Sequence, residues 1–385
     1  MTPPPRTHPE DRLASIVLDQ YLGVRRGERV TIETWDHTLP WARAFVTEAR
    51  RRGCEPILVV EDEETFFRWL ARSGARPVPS APAALAEASD AYVYFPGPEQ
   101  FPRLLGLSAI ELEAVVGRHG PAWWRAARRA GLRAVRVAVA DATPTAAARY
   151  GVDPEVWQRD MLRASLVSPN RLTRAAEPIV RGLSHAHQVR IRHPNGTDLT
   201  VGLQPHAWIV EDGRIDRVDR AVARRWTSVP TGRVAFALSE GVAEGVWEAN
   251  RPAYDRYGDP AVTEGVRFTV ANGRVSEYAF DRGGAAFASA YARGGRGRAG
   301  PGALTFGLNP AVVRGPELDD LAAGSVGLLL GDNRAAGGRL RSRFSYLTTL
   351  SGADVDLDGR PWWVGARPVR SPTGLNGLAR SLRRR

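Results

Sequence analysis

The sequence contains no lysine, so all 53 of its basic residues are arginine. Without a lysine amine, no side chain can form a Schiff base or attack as an amine nucleophile. The sequence therefore excludes lysine-dependent covalent catalysis. The same Arg-only composition, rich in Ala, Gly and Pro, is also what a GC-rich coding sequence produces, so by itself it points to no function.

Positive charge is in excess but is not concentrated. The 53 arginines stand against 42 acidic residues, which gives a formal net charge of +11. The arginines are scattered among aspartates and glutamates, and only the terminal RSLRRR forms a basic block. Nucleic-acid-binding surfaces concentrate basic residues on one face or in one run, so we expect no nucleic acid partner.

Cysteine and long apolar runs are almost absent. Cys54 is the one cysteine, so no internal disulfide can form, and its place just before the apolar run PILVV predicts a buried thiol rather than a nucleophile. No apolar run approaches the roughly 20 residues of a membrane span, and the Pro-rich N-terminus lacks the apolar stretch of a secretory signal. We therefore expect a cytoplasmic protein with no membrane partner.

The first half of the chain alternates helical and strand patterns. Helical spacing in EDRLASIVLDQYL is followed by the alternating run RVTIETW, and strand-length apolar runs recur at EPILVVED, DAYVYFPG and LRAVRVAVAD. Repeated units of this kind predict a parallel sheet covered by helices on both faces. A chain of 385 residues exceeds the usual size of one core, so we expect a second domain.

The second half is rich in short strands separated by turn dipeptides. Turns at Pro194–Gly196, Asn272–Gly273 and Asp358–Gly359 are typical of β-hairpins. We predict an α/β fold with a parallel-sheet domain followed by a β-rich, barrel-like domain. The predicted divisions are a disordered tail over 1–9, the α/β domain with a helical bridge over 10–185, the β-rich domain over 186–370 and a basic tail over 371–385.

Motifs of common active sites are missing or incomplete. No serine lies in a GxSxG elbow, and no glycine pair follows a strand and opens a helix with phosphate-loop spacing. His185 and His187 are two residues apart, and with Asp198 they are a candidate for a metal site. No further histidine or cysteine lies nearby at ligand spacing. The sequence therefore predicts no metal and no cofactor.

A series of phrases, in matching order and spacing, resembles the aminopeptidase T family of metallo-aminopeptidases. The phrases are LGVRRGERV, ARAFVTEARRRGCEPILVV, VRIRHPNGTDL, PTGRVAF, GLNPAV, GSVGLLLG and a Gly pair before the final strand. The resemblance runs from about residue 10 to 367. It implies an α/β domain, a β-rich domain that carries two divalent metal ions, and a homodimer. Some relatives in the family are iron-dependent enzymes that open hydroxypyridine rings.

The sequence departs from the family where the family carries its metal ligands. Arg233 follows Gly232 where the family's PxGE phrase has a glutamate. Ala303 stands where a second glutamate precedes the GxNP phrase, and Gly327 takes the place of the histidine of the GTxH phrase. Side chains of alanine and glycine donate nothing to a metal ion.

The later ligand positions also differ from the family. The closing His-x-Asp falls on Ser345 and Leu347, and the tyrosine ligand falls near Asn333 or Arg334. The resemblance therefore implies a cleft whose metal ligands have all been replaced, with positive charge at Arg233.

Arginine in such a cleft predicts a pocket for an anion, because guanidinium groups match carboxylates and phosphates. The candidate ligand-binding residues are Arg233, Arg341, Arg343 and Ser342. The alternation of side chains along the predicted last strand places on one face Arg341, Arg343, Ser345 and Leu347. The alternative is that these arginines are a solvated strand face. Without a metal, the candidate catalytic residues are Ser345, Tyr346 and Asp332.

The sequence predicts an aminopeptidase T-like protein that is not a peptidase. In this interpretation it binds or converts a small anionic or amino-acid-like molecule in a biosynthetic pathway. Two alternatives stay open. One is a non-catalytic partner subunit of an active homologue, and the other is an aminopeptidase or ring-cleaving enzyme with a metal relocated to His185, His187 and Asp198.

Overall fold

The computed structural model of the chain describes residues 8–73, 81–107, 120–221, 225–255 and 260–368. These residues form a five-stranded sheet and an 11-stranded sheet, together with a small two-stranded sheet. The predicted basic tail over 371–385 lies outside the described residues, as do residues 1–7 of the predicted N-terminal tail.

The five-stranded sheet is parallel and follows the apolar runs of the first half. Its strands are β1 (Arg29–Trp35), β2 (Glu55–Glu61), β3 (Ala91–Tyr94), β4 (Arg133–Val137) and β7 (Trp226–Val229). Their order across the sheet is β2-β1-β3-β4-β7. Val30, Ile32, Val93 and Val135 on the inner strands are fully buried, as is typical of a parallel sheet.

Helices alternate with these strands, which confirms the predicted α/β pattern. They are α1 (Pro9–Ile16), α2 (Leu39–Arg51), α3 (Glu63–Ser73), α4 (Ala81–Ala88), α5 (Pro121–Ala130) and α6 (Pro144–Tyr150). The predicted bridge forms α7 (Pro154–Ser165) and α8 (Pro169–Leu183). Asp153 begins α7 by accepting a hydrogen bond from the Val156 N–H, which satisfies a free donor of the first turn.

The larger sheet is built from the second half. Its strands are β5 (Gln188–Arg192), β6 (Asp198–Glu211), β8 (Arg233–Glu248), β11 (Arg267–Ala271), β12 (Arg274–Ala279), β13 (Pro301–Gly307), β14 (Ser325–Gly331), β15 (Ser345–Ser351), β16 (Asp354–Leu357), β17 (Arg360–Val364) and β18 (Arg367–Pro368). The main path is β15-β14-β13-β8-β6-β5-β16-β17-β18, and β11 and β12 branch from β8. These strands pair in antiparallel fashion.

Two further α-helices and two short strands lie along the chain between strands of this large sheet. They are the helices α9 (Arg217–Ala221) and α10 (Gly284–Arg293), and the strands β9 (Ala253–Tyr254) and β10 (Val262–Thr263), which pair with each other.

One strand of the parallel sheet comes from beyond the predicted domain boundary at residue 186. β7 pairs in parallel with β4, so that Ala134 lies opposite Trp226 and Val137 lies opposite Val229. The chain therefore leaves the first sheet, forms β5 and β6, returns to the first sheet as β7 and leaves again into β8. This return places residues of both sheets next to one another.

Each sheet has its own apolar core. One face of β8 contributes Val234, Phe236 and Leu238 to the core of the large sheet. Cys54 is buried in the core of the first domain, as predicted, and burial raises the pKa of its thiol. Among the described residues, no helix combines the length and apolar character that crossing a membrane requires.

Candidate functional site

A cleft of about 540 Å³ lies where the parallel sheet meets the antiparallel sheet. Strands β4 and β7 contribute one part of its lining, and the ends of β6 and β8 contribute another. Its charged lining residues are Arg136, Glu211, Arg214, Asp219, Arg233, Glu317 and Asp320. Its apolar lining includes Ile209, Trp226, Leu321 and Leu347.

Arg233 is held between two carboxylates of the cleft. Its Nε donates to Oε2 of Glu211 at 2.8 Å, and its Nη1 donates to Oδ2 of Asp320 at 2.6 Å. Glu211 and Arg233 lie opposite one another on β6 and β8, so the first contact is a cross-strand pair. The carboxylates of Glu211 and Asp320 raise the pKa of the Arg233 guanidinium, which stays charged.

Arg136 is held in a similar way on the side of the parallel sheet. Its Nη1 donates to Oε2 of Glu317 at 3.1 Å, and its Nη2 donates to Oε1 of the same carboxylate at 3.2 Å. The Nη2 group also donates to Asp141. Burial by itself lowers the pKa of Arg136, but Asp141 and Glu317 outweigh burial and raise it.

Charges of both signs nearly balance in the cleft. Its described lining holds four carboxylates and three guanidinium groups. A ligand with only negative charge must compete with Glu211 and Asp320 for Arg233. A ligand that carries both an ammonium and a carboxylate group can pair with a guanidinium and a carboxylate together. The arrangement therefore favours a zwitterionic ligand, with one charge of each sign, over a simple anion.

Those positions singled out by the resemblance that lie on strands share one face of the antiparallel sheet. Alternate residues of a strand point to the same face, and the register aligns these residues across four strands. The residues of this face are Arg233, Ala235 and Ala237 on β8, Ala303 and Thr305 on β13, Gly327 and Leu329 on β14, and Ser345 and Leu347 on β15. Arg233 and Leu347 line the cleft.

The side chains of this face are unsuited to divalent metal ions. Ala235, Ala237, Ala303 and Ala336 form a small buried apolar cluster. Methyl groups donate nothing to a cation, whereas protein sites for divalent ions use carboxylate, imidazole or thiolate donors. The residues at the marked positions therefore do not fit the two ions that the resemblance implies.

The PTG and GLNP motifs meet beside the cleft, where they fix the backbone. The fully buried Asn309 donates from Nδ2 to the carbonyl oxygen of Thr231 at 2.8 Å and to that of Ala164 at 3.0 Å. Gly232 has φ +129, and a Cβ there would lie 3.0 Å from Cβ of Asn309. Glycine allows this close approach, which places β8 against the end of β13.

Arg341, Ser342 and Arg343 do not line the described cleft. Strand β15 begins at Ser345, so the predicted strand over 340–344 is wrong. Arg341 and Arg343 are exposed, as in the solvated alternative, and the Ser342 hydroxyl donates to the Gly294 carbonyl at 2.8 Å. Of the four candidate ligand-binding residues, the structure places Arg233 alone in the described lining.

Asp332 explains why the segment before β15 is not a strand. Its Oδ2 accepts a hydrogen bond from the Ser342 N–H at 3.3 Å and another from Nε of Arg334 at 2.8 Å. Asn333 similarly accepts the Leu340 N–H at 2.8 Å. These side chains thus form hydrogen bonds with backbone N–H groups that would otherwise pair with a neighbouring strand. Burial raises the pKa of Asp332, but the bonds to Arg334 outweigh burial and lower it.

Ser345 and Tyr346 lie on opposite faces of β15. Ser345 is exposed on the face of Arg233, whereas the Tyr346 ring packs against Phe268 and Phe287 in the core. The Tyr346 hydroxyl lies 2.5 Å from Oγ1 of Thr263, and burial raises its pKa to about 12. The two side chains cannot act on one ligand at one face. The catalytic roles of Ser345, Tyr346 and Asp332 stay predictions.

His185, His187 and Asp198 do not converge on a common point. The His187 side chain is 90% exposed, and its Nδ1 lies 3.9 Å from Oδ2 of Asp358. Asp198 lies at the other end of the β5–β6 pairing, where its Oδ2 accepts from Nη2 of Arg190 at 2.6 Å. These three residues do not form the relocated metal site that was one alternative.

Sequence reasoning missed the cleft residues Arg136, Glu211, Glu317 and Asp320. Glu211 and Asp320 are 22 and 87 residues from Arg233 along the chain. No local spacing relates them to Arg233. The alignment of β6 with β8 was the one signal available, since it places Glu211 opposite Arg233.

Comparison with known proteins finds a match in structure and none in sequence. No protein-family model and no curated protein matches the chain. Wild-type AmpT from Thermus thermophilus has a TM-score of 0.70 at 19% identity, over 94% of this chain and 99% of the AmpT chain. A 2,5-dihydroxypyridine dioxygenase from Pseudomonas putida KT2440 has a TM-score of 0.59 at 15% identity, over 94% of this chain and 97% of its own. The chain therefore has an aminopeptidase T-like fold.

Proposed function

We propose that this protein binds a small amino-acid-like molecule in the cleft between its two sheets and that it is not a metal-dependent peptidase. The observation that carries the proposal is the placement of Arg233 between Glu211 and Asp320 in the cleft. This arrangement occupies a position where the resemblance implies a metal-binding glutamate. In this proposal, paired charges of both signs stand where the resemblance implies a cation site.

Electrostatics supports the loss of metal ions from this cleft. A divalent ion about 4 Å from the Arg233 guanidinium is repelled by about 8 kcal/mol at an effective dielectric constant near 20. Donor groups of a structural zinc site together contribute about 10 to 16 kcal/mol. Ala303 and Gly327 offer no such donors, and the nearby carboxylates of Glu211 and Asp320 are already paired with Arg233.

The charge pattern supports an amino-acid-like ligand over a simple anion. Arg233 and Arg136 each already bind carboxylates, so an anion bound to either of them would displace Glu211, Asp320 or Glu317 from a charged hydrogen bond. An ammonium group on the same ligand compensates the displaced carboxylate. A volume of about 540 Å³ is also within the range of about 300 to 1,000 Å³ for small-molecule sites.

Isothermal titration calorimetry with three related ligands tests the proposal. Leucine carries both charges, leucinamide carries the ammonium group alone and N-acetyl-leucine carries the carboxylate alone. The leucine side chain, which all three ligands share, suits the apolar groups of Ile209, Leu321 and Leu347. We expect leucine to bind at least about tenfold more tightly than either analogue, a difference of about 1.4 kcal/mol, because each analogue leaves one cleft charge uncompensated.

Two variants and one activity assay complete this test. Arg233→Met should abolish leucine binding, whereas Arg343→Met should leave it unchanged because Arg343 is exposed and lies outside the described cleft lining. Preferential binding of N-acetyl-leucine would contradict the ligand class. Hydrolysis of leucyl-p-nitroanilide by protein supplied with zinc, cobalt or manganese would contradict the proposal that the protein is not a metal-dependent peptidase.

A further inference from the structure

Three side chains of the kinds that bind metal ions lie together at the edge of the parallel sheet, outside the described cleft lining. Asp36 and His37 follow β1 directly, and Glu63 opens α3 just after β2. One ligand atom from each residue lies within 4.8 Å of the others. We propose that Asp36, His37 and Glu63 bind one divalent cation.

Pairing of the two strands explains why these residues meet. β1 and β2 are adjacent and parallel, with Trp35 opposite Glu61 at their carboxyl ends. The residues that follow these two strands therefore emerge side by side. Open parallel sheets bind their ligands at this edge, because loops from neighbouring strands converge there.

Distances within the group are compatible with one ion. Donor atoms bound to the same ion at about 2.1 Å lie about 3 to 4.2 Å from one another. Nδ1 of His37 lies 3.7 Å from Oδ1 of Asp36. All three ligand atoms lie within 4.8 Å of one another, close to the spacing that one ion requires.

A third loop holds the Glu63 carboxylate in place. Its Oε2 accepts a hydrogen bond from the Glu99 N–H at 2.9 Å, and its Oε1 accepts one from the Gln100 N–H at 3.0 Å. Each oxygen keeps a lone pair for a cation. Backbone donors of this kind orient metal-binding carboxylates in known sites. Oδ1 of Asp36 is likewise oriented by the His37 N–H at 2.9 Å.

The donor set indicates the class of metal. One imidazole and two carboxylates suit zinc, manganese, iron(II) and cobalt(II) better than they suit calcium or magnesium, because those two ions prefer oxygen ligands only. His37 is 14% exposed and Asp36 is 46% exposed, so the ion would sit at the protein surface with solvent access. Three protein donors leave at least one coordination position for water or an anionic ligand.

Metal titration of the full-length protein tests this site. After removal of metal with a chelator, we expect one Zn²⁺ or Co²⁺ ion per chain by calorimetry, and a Co²⁺ absorption spectrum that shows nitrogen and oxygen ligands. His37→Ala should weaken binding by about tenfold or more, because it removes the imidazole donor. Asp36→Asn should weaken it as well, and its exposed position keeps the risk of misfolding small.

His187→Ala is the matched control. His187 also lies near an aspartate, with Nδ1 3.9 Å from Asp358 Oδ2, but the described residues supply no third donor there. This variant should bind the ion as the unchanged protein does. Equal affinity in the His37→Ala variant, or no stoichiometric binding at all, would overturn the proposal. Because the leucine titration is made without metal, its outcome is separate from this one.

Discussion

Two buried threonines of the large sheet differ in whether their hydroxyl groups have partners. Thr305 on β13 is 3% exposed, and within the described chain its Oγ1 forms no hydrogen bond. Thr348 on β15 is 1% exposed, accepts from Nε1 of Trp247 at 2.9 Å and donates to the Leu328 carbonyl at 3.3 Å. Burying a hydroxyl without a partner costs free energy, so the two positions should respond oppositely to loss of the oxygen.

Replacing each threonine by valine tests this difference, because valine keeps the shape of threonine. Thr305→Val should raise the free energy of unfolding by about 1 kcal/mol, since it removes an unsatisfied buried group. Thr348→Val should lower it by about 2 kcal/mol, since it leaves the buried Trp247 N–H without an acceptor. Urea denaturation followed by tryptophan fluorescence measures both. A stabilised Thr348→Val protein, or a destabilised Thr305→Val protein, would contradict the assignment.

Individual cleft residues show which features of the site can be predicted from the sequence alone. The resemblance marked Arg233, and the structure places it in the cleft. The partners Glu211 and Asp320 come from other segments, so the sequence did not show that the Arg233 charge is already compensated. A charged residue can be located from its motif, whereas its partners depend on strand register and on loop positions that the motif does not contain.

Among the strands, turns with special backbone requirements were the most predictable features. The central residues Asn272 and Gly273 have φ 51 and 70, and Asp358 and Gly359 have φ 48 and 79. A two-residue hairpin turn of this type needs positive φ at both positions, which Asn-Gly and Asp-Gly tolerate. The dipeptides therefore located both hairpins from sequence alone.

Two other elements could not be predicted, for different reasons. The alternating pattern over 340–344 indicated a strand, but contacts to the side chains of Asp332 and Asn333 replace strand pairing there. β7 is four residues long and follows a β-rich segment, so nothing local indicates that it joins the parallel sheet beside β4. Local pattern thus gives the kind of element, while tertiary contacts decide its extent and its neighbours.

Asn309 connects three elements and should be a strong determinant of stability. Its side chain binds the Ala164 carbonyl at the end of α7, the Thr231 carbonyl before β8 and the Ala311 N–H after β13. Asn309→Ala removes these three hydrogen bonds to the backbone and opens a cavity at a fully buried position. We expect the free energy of unfolding to fall by about 2 to 4 kcal/mol in urea denaturation.

Asn195→Ala is the matched control for this prediction. Asn195 also uses its side chain for two backbone contacts, to the Glu248 carbonyl at 2.7 Å and the Thr197 N–H at 3.1 Å, but it lies in a hairpin turn near the surface. We expect a loss of about 1 kcal/mol there. A loss of stability at Asn309 no larger than that at Asn195 would show that connecting three elements adds little to the stability of the fold.

The two sheets are joined by specific contacts across the cleft as well as by the return of β7. Arg136 on β4 binds the Glu317 carboxylate, which follows β13 of the large sheet. Nearby, Nε1 of Trp157 donates to the Pro316 carbonyl at 3.1 Å. One loop therefore binds both the parallel sheet and α7. The cleft geometry depends on this loop, because it also carries Asp320, a partner of Arg233.

Glu317→Gln should weaken the joining of the two domains without removing either core. The substitution replaces a bidentate charged contact by a neutral one, and we expect the free energy of unfolding to fall by about 1 to 2 kcal/mol. Arg136 keeps its bond to Asp141, so local unfolding of β4 is not expected. If the domains unfold less cooperatively, calorimetry should show a broader transition or two separate ones.

The exposed helical pair Glu64–Arg68 provides the control for this substitution. Its Nε to Oε1 distance is 3.0 Å, close to the distances at Glu317, but both residues lie on α3 with 61% and 70% of their side chains exposed. Glu64→Gln should change stability by less than about 0.5 kcal/mol, since exposed ion pairs contribute little. Equal effects at Glu317 and Glu64 would mean that the contact across the cleft is solvated, and that the return of β7 holds the two sheets together.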